Sequence, residues 1–409
     1  MRAYIAVTAA YWAFMLTDGA LRMMVLLHFH QLGFSALTLA WLFLLYEFAG
    51  VATNLCAGWL AARFGLTSTL YMGLGLQVVA LVALSQVGAG WSIGLSVAFV
   101  MVVQGLSGVA KDLAKMSSKS AVKLLAPDTE GSLFRWVAWL TGSKNAVKGV
   151  GFFLGAAGLG VLGFAPTLWL MAAALAAILV AVLMFMPQGL PRGVKGVKFA
   201  SVFAQDPRIN RLSLARMFLF AARDVWFVVG IPVYFHQVLS DGSEDGARRA
   251  FFWVGSFMAL WIIAYGGVQA VAPRLLRRAV DQPTRAAGHW VAGLSLIPLG
   301  LAALALWSAG PALWLTVSLV VGLLIFGFVF AVNSSLHSWL ILAFTSRERV
   351  TRDVGFYYMA NAGGRLLGTA LSGISYTLGG LPLCLLTAAL LALGSWLAVR
   401  CIPDGVQEA

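Results

Sequence analysis

Long apolar stretches follow one another along almost the whole chain, separated by short polar connections. Each is close to the ~20 residues that cross a bilayer as a helix. They predict twelve spans near residues 5–27, 37–61, 68–87, 91–115, 134–161, 165–186, 212–236, 250–272, 288–307, 311–340, 354–377 and 380–400. The runs are continuous rather than alternating, which excludes the strands of a membrane barrel. A helix also satisfies its own backbone hydrogen bonds in hydrocarbon. The expected fold class is an all-α polytopic membrane protein. The longest polar stretch, roughly 187–211, carries Pro187, Gly189, Pro191, Gly193 and Gly196 and reads as a linker. The organisation expected is a six-helix bundle over 1–186, a cytoplasmic linker over 187–211 and a second six-helix bundle over 212–409.

The two bundles resemble each other. Phe29-His30-Gln31 ends span one and Phe235-His236-Gln237 ends span seven, and the offset of 206 that aligns them places Asp18 on Asp224. Span five carries Asn145-Ala146, Lys148 and Gly151; span eleven carries Asn361-Ala362, Arg365 and Gly368. Together these matches indicate a duplicated six-helix unit, with parallel repeats about an axis along the membrane normal. The connections alternate in charge. Even-numbered ones carry Arg63; Lys119 and Lys123; Arg192, Lys195, Lys198 and Arg208; Arg274, Arg277, Arg278 and Arg285; and Arg347, Arg349 and Arg352. Odd-numbered ones are nearly free of Lys and Arg, except for Arg248 and Arg249 beside Asp241, Glu244 and Asp245. The positive-inside rule then puts both termini in the cytoplasm. The first apolar segment carries Asp18 and Arg22 and lacks a small-residue cleavage site, so it is expected to stay as a span.

Composition agrees with this reading. Only 11% of residues are charged and 61% are hydrophobic, against about 25% charged in a soluble domain. The net charge of +13 does not indicate nucleic acid, because the basic residues sort to one side of the membrane. Cys56, Cys384 and Cys401 are scattered and suggest neither a metal site nor a disulfide framework. No cluster of metal ligands and no nucleophile–base pair is placed by sequence, so neither an enzyme nor a cofactor is expected.

Five cations lie where hydrocarbon should be: Arg22, Lys144, Lys148, Arg223 and Arg365. Asp18, Glu47 and Asp224 share that zone. A charge at the centre of a membrane helix costs about 2.5–3.5 kcal/mol on insertion scales and usually faces a water-filled path or a partner. Lys111, Lys115, Lys119 and Lys123 recur every four residues as one stripe. It reads either as a basic helix on anionic membrane lipid, especially at Lys119 and Lys123, or as a cavity wall, especially at Lys111 and Lys115. Asp112 has Lys115 as its partner one turn on. Aligning Gly105 with Gly327 sets Asn333 and His337 of span ten opposite Lys111 and Lys115. Both halves would then point a polar pair inward.

Lys144 and Lys148, with Asn145 between them and Asn361 and Arg365 at the matching place in span eleven, suit a multivalent anion. Lys supplies a compact charge, and Arg supplies a fork for phosphate-like oxygens. Asp18 and Arg22 are four apart on one helix and can neutralise each other. Arg223 and Asp224 point about 100° apart, so each needs another partner. Glu47 has no obvious partner. The three acids are candidates for a coupling proton or are charge balance for the cations. His28, His30 and His236 read as interfacial residues or proton relays. Gly149, Gly151, Gly155 and Gly158 form a small-residue packing face.

Twelve spans in two similar halves resemble the major facilitator superfamily across nearly the whole chain. Gly58-Trp59-Leu60-Ala61-Ala62-Arg63-Phe64-Gly65 resembles its loop after span two, with Ala62 at the usual acid. Gln104-Gly105-Leu106-Ser107-Gly108 resembles its span-four motif, with Met101 at the usual arginine. Within the superfamily, Lys111-Asp112-Leu113-Ala114-Lys115-Met116-Ser117-Ser118-Lys119-Ser120 and the stretch through Arg22 look like the organoarsenical efflux permeases of arsenic-resistance operons, the ArsJ group. That resemblance implies export of 1-arseno-3-phosphoglycerate across the bacterial inner membrane. It also implies a functional partner, glyceraldehyde-3-phosphate dehydrogenase, which makes the ester from arsenate. A carrier of another organophosphate anion and an anion-binding membrane sensor are the alternative readings.

Overall fold

The computed structural model describes residues 2–88, 90–125, 132–185, 206–276, 282–308, 310–345 and 350–402. Eleven helices among them are long and apolar enough to cross a membrane. We number α1 (Arg2–Gln31), α2 (Ala36–Phe64), α3 (Leu66–Leu84), α4 (Ile93–Leu125), α5 (Ser132–Leu162) and α6 (Phe164–Phe185). They are followed by α7 (Pro207–Leu239), α8 (Glu244–Leu275), α9 (Pro283–Trp307) and α10 (Leu313–Phe344). The last apolar helix runs from Val350 to Arg400 but breaks at Gly379 and Gly380. Residues twelve apart on a straight helix lie ~18 Å from each other, yet Ser375 Oγ and Thr387 Oγ1 are 3.1 Å apart. The chain therefore doubles back and supplies two crossings, α11 (350–378) and α12 (381–400). The expected twelve spans are all present.

Gly380 has φ 60° and ψ −153°, a backbone region essentially restricted to glycine. Gly380→Ala is expected to destabilise the α11–α12 turn by about 1–3 kcal/mol and to lower the thermal midpoint of the purified protein. An unchanged midpoint would contradict this account of the turn.

One element departs at two points from what the apolar pattern indicates. Helix α7 starts at Pro207, five residues before the expected span, because Pro207 occupies the first turn and the Asp206 carboxylate accepts from the Arg208 backbone N–H at 2.8 Å. It contains a π-helical turn at Trp226–Gly230, where the Val229 and Gly230 N–H groups point at Ser372 Oγ, 3.3 Å away.

Helices α1 and α7 are the most enclosed, whereas α6 is the least. The outward faces are apolar, with Phe185, Trp307 and Leu313 largely exposed, as lipid-facing surfaces are. Gly151 and Gly155 of α5 lie on the α1 backbone at Leu16 and Ala20; Gly364 and Gly368 of α11 lie on the α7 backbone at Met217 and Ala221. These crossings sit at matching positions of the sequence repeat and bring α5 beside α1 and α11 beside α7. Arg248 and Arg249, the exceptions to the charge alternation, are neutralised locally. Arg249 reaches Asp241 at 3.0 Å and Arg248 lies 3.9 Å from Asp245. Hydrogen bonds from Ser243 hold the Asp241 carboxyl below the usual carboxylate range.

Candidate functional site

A cavity of about 930 Å³ lies between the N-terminal six helices and the C-terminal six. Its mouth is at the end of the molecule that carries the chain termini, lined there by Leu276, Pro283 and Ala343, and it reaches inward to Arg22, Phe152 and Phe227. The opposite end is packed shut. His30 and His236 meet edge to face with ring centroids 5.0 Å apart, and Gly373 of α11 is pressed against Ala36, Leu37 and Ala40 of α2, where a Cβ would lie 2.5 Å from Ala40 Cβ. The described conformation is open at one end only.

Eight cationic side chains line this cavity: Arg22, Lys111, Lys115, Lys144, Lys148, Arg216, Arg223 and Arg365. Among the described residues, two carboxylates line it with them, Asp112 and Asp224. Asp18 and Glu47 stand immediately behind the wall, almost fully buried. The four lysines come from α4 and α5, while three of the four arginines come from α7 and α11. Ammonium groups therefore face guanidinium groups across the cavity.

On the lysine side, Lys148 Nζ donates to Asp18 Oδ2 at 2.5 Å, and the Tyr46 hydroxyl donates to Asp18 Oδ1 at 2.5 Å. Asp18 therefore does not neutralise Arg22, as their spacing suggested. Each residue finds a closer partner on a neighbouring helix. Lys111 Nζ sits 4.1 Å from the centre of the Tyr46 ring and 4.0 Å from Asp112 Oδ2. Lys115 pairs with Asp112 at 3.2 Å, as expected, and also donates to Asn54 Oδ1 at 2.9 Å. Thr53 donates to the other Asp112 oxygen at 2.9 Å. The side chains of Lys119 and Lys123 lie outside the described residues. Lys144 lines the cavity beside Asn145, whose amide donates to Gln269 of α8 at 3.1 Å.

On the arginine side a chain of alternating charge crosses from one half to the other. Arg22 is 3.2 Å from Glu47 Oε1, and Arg365 donates to the same oxygen at 2.6 Å. Arg365 Nε also faces Asp224 Oδ2 at 3.4 Å, and Arg223 pairs with Asp224 Oδ1 at 2.5 Å. Glu47 thus has two partners, where its own helix offered none. Arg223 and Asp224 do pair with each other, contrary to the expectation from their 100° separation: the long arginine stem curls back around the helix. Asp18–Lys148 and Asp224–Arg365 occupy matching positions of the repeat.

Three sequence expectations need correction or addition here. Asn333 and His337 are completely buried and do not line the cavity; Ser335, Ser338 and Trp339 do. Two residues on is about 200° round a helix, and the glycine used to align the halves does not determine how α10 is rotated. Asn361 lines the cavity, but as an acceptor from Arg216 Nε at 2.9 Å. Arg216 is a cavity residue that the apolar pattern does not mark. It falls at the edge of the expected span, but the early start of α7 carries it nine residues into the helix, where it is 5% exposed. Arg216 also donates to the Ser334 backbone oxygen at 2.9 Å and to its Oγ at 3.0 Å, and stacks on Phe220 at 4.1 Å. Among the described residues it has no carboxylate partner.

Among the described residues no three His, Cys, Asp or Glu side chains group as metal ligands would. What the cavity offers is a dense set of N–H donors on fixed positive charges, the chemistry that binds oxyanions.

Comparison with known proteins gives a match to the family model described as Major Facilitator Superfamily over residues 4–339. No curated protein matches. Among solved structures, a POT family transporter in complex with a thioalcohol-conjugated peptide superposes with a TM-score of 0.75 at 14% identity, covering 100% of this chain and 97% of that one. The nucleoside transporter NupG gives 0.70 at 15% identity, with 98% of each chain covered. A POT family transporter in complex with 5-aminolevulinic acid gives 0.72 at 14% identity, with 98% and 95% covered. At these identities the likeness is one of fold.

Proposed function

We propose that this chain, which belongs to the Major Facilitator Superfamily and is a multi-pass membrane transporter rather than an enzyme, exports an organic oxyanion from the bacterial cytoplasm, namely 1-arseno-3-phosphoglycerate. The observation that carries the proposal is the set of eight cations lining the cavity against two carboxylates. The solved neighbours carry peptide, 5-aminolevulinic acid and nucleoside in their descriptions. The charge excess here favours a cargo with several negative charges instead. A phosphate monoester alone carries about −1.5 to −2 at neutral pH, and a substrate with two tetrahedral oxyanions has one end for the lysines and one for the arginines. The resemblance of the Lys111–Ser120 stretch to the organoarsenical permeases supports 1-arseno-3-phosphoglycerate as that substrate. It also implies glyceraldehyde-3-phosphate dehydrogenase as its source.

The basic connections favour termini, and hence a cavity mouth, on the cytoplasmic side of the inner membrane. The anion is captured there, and the two bundles rock about it to expose it outside. Export of an anion from a negative interior is downhill by about 2.3 kcal/mol per charge per 100 mV. Asp18, Glu47 and Asp224 need not carry a proton under this reading: each holds a cation in place, which is charge balance.

The test uses everted vesicles containing the protein, supplied with the dehydrogenase, its nicotinamide cofactor, labelled glyceraldehyde 3-phosphate and arsenate. The expected outcome is label accumulation that requires both arsenate and this protein. Equal accumulation with phosphate in place of arsenate would point to a broader organophosphate carrier. Accumulation of neither, with the protein folded, would sink the substrate assignment.

A further inference from the structure

We infer that Glu47 is a positioning residue that occupies, in the empty carrier, the place the transported anion takes on Arg22 and Arg365, so that arrival of the anion releases α2 from α11. The inference rests on the oxyanion reading above. Glu47 is 1% exposed and lies behind the cavity wall, while both of its arginine partners line the cavity. One oxygen, Oε1, receives both guanidinium groups, at 2.6 Å from Arg365 and 3.2 Å from Arg22. The other, Oε2, is buried with no hydrogen-bond partner among the described residues. A carboxylate held by one oxygen between two cations is a poor match for two forks. A tetrahedral oxyanion entering from the cavity offers more acceptors to the same N–H groups.

The position of Glu47 also matters. The Glu47–Arg365 pair joins the N-terminal helices to the C-terminal helices in the middle of the α2–α11 contact. Gly50 lies beside Ala362 on one side of it, and Gly373 lies on Ala36 and Ala40 on the other. The latter contact must part when the closed end opens. Exchange of Glu47 for the anion on Arg365 removes the charge pair across this contact, and the return of Glu47 evicts the anion after opening. An ion that binds the two states unequally is what shifts such an equilibrium.

The test is Glu47→Gln, read in two ways. In proteoliposomes with labelled 3-phosphoglycerate as probe, the variant is expected to bind more tightly and turn over more slowly: KM lower by about tenfold, as expected when a competing charge is removed from a close pair, with a reduced maximal rate. Glu47→Asp should recover part of that rate. In the absence of any anion, nitroxides on Leu32→Cys and Leu239→Cys, exposed sites at the closed end, should report longer distances in Glu47→Gln than in the Glu47 parent (Cys56, Cys384 and Cys401 replaced by serine in both). Unchanged distances would overturn the lock, and an unchanged or raised KM would overturn the displacement. The distance measurement needs no cargo, so wild-type protein that moves no 3-phosphoglycerate but opens on Glu47→Gln would refute displacement by this organophosphate while leaving the α2–α11 lock standing.

Discussion

Arg365→Ala is expected to abolish anion transport and to destabilise the protein by about 3–5 kcal/mol, the usual consequence of removing one partner from a buried ion pair. The size of the effect follows from its position. Among the described residues, Arg365 is the one cation that touches carboxylates from both halves, Glu47 at 2.6 Å and Asp224 at 3.4 Å. Its removal leaves both acids nearly buried, with Arg22 and Arg223 as their remaining cations. Arg365→Lys should fail as well, because a single ammonium cannot serve two acceptors in the plane of a guanidinium fork. Loss of transport and loss of stability separate in the double variant Arg365→Ala, Glu47→Gln. Removing one stranded carboxylate should restore part of the stability, seen as a higher thermal midpoint, without restoring transport. Retention of transport by Arg365→Ala would remove Arg365 from the site.

Arg216→Gln is expected to do the reverse: to weaken anion binding strongly while sparing the fold. Among the described residues no carboxylate depends on Arg216, whose partners are Asn361, Ser334 and the Phe220 ring. Glutamine retains hydrogen-bonding capacity toward Asn361 and Ser334, so the thermal midpoint should move little. A desolvated charge-assisted hydrogen bond is worth about 1.5–3 kcal/mol, so KM for an organophosphate should rise roughly 10- to 100-fold at a similar maximal rate. A wild-type KM in a folded Arg216→Gln protein would show that this guanidinium faces the cavity without touching the cargo.

The difference between these two arginines was not readable from the sequence, and the reason is physical. Helical spacing reports which side chains share a face of one helix. It therefore anticipated the Asp112–Lys115 pair and the glycine face of α5. It says nothing about the neighbouring helix, so Asp18 was set against Arg22 when its partner Lys148 lies 130 residues away. The repeat carried more long-range information. Matching Asp18 with Asp224 and Lys148 with Arg365 identified in advance four residues that form equivalent pairs in space. Alignment at Gly105 and Gly327 failed for Asn333 and His337 because it fixes register along a helix but not rotation. Arg216 was hidden by a boundary: hydropathy begins the span at 212, whereas Asp206 and Pro207 begin the helix five residues earlier. The break at Gly379–Gly380, by contrast, was legible as the gap between two apolar runs.

The central claim is that this cavity carries an organic oxyanion through the membrane. The most direct measurement is the initial rate of label entry into proteoliposomes of the purified protein supplied outside with the dehydrogenase, its nicotinamide cofactor, arsenate and labelled glyceraldehyde 3-phosphate, compared with labelled ribose, an uncharged solute. The account predicts saturable entry of the arsenate ester, no protein-dependent entry of ribose, and loss of the ester's entry in Arg365→Ala. Protein-dependent entry of ribose without entry of the ester would contradict it.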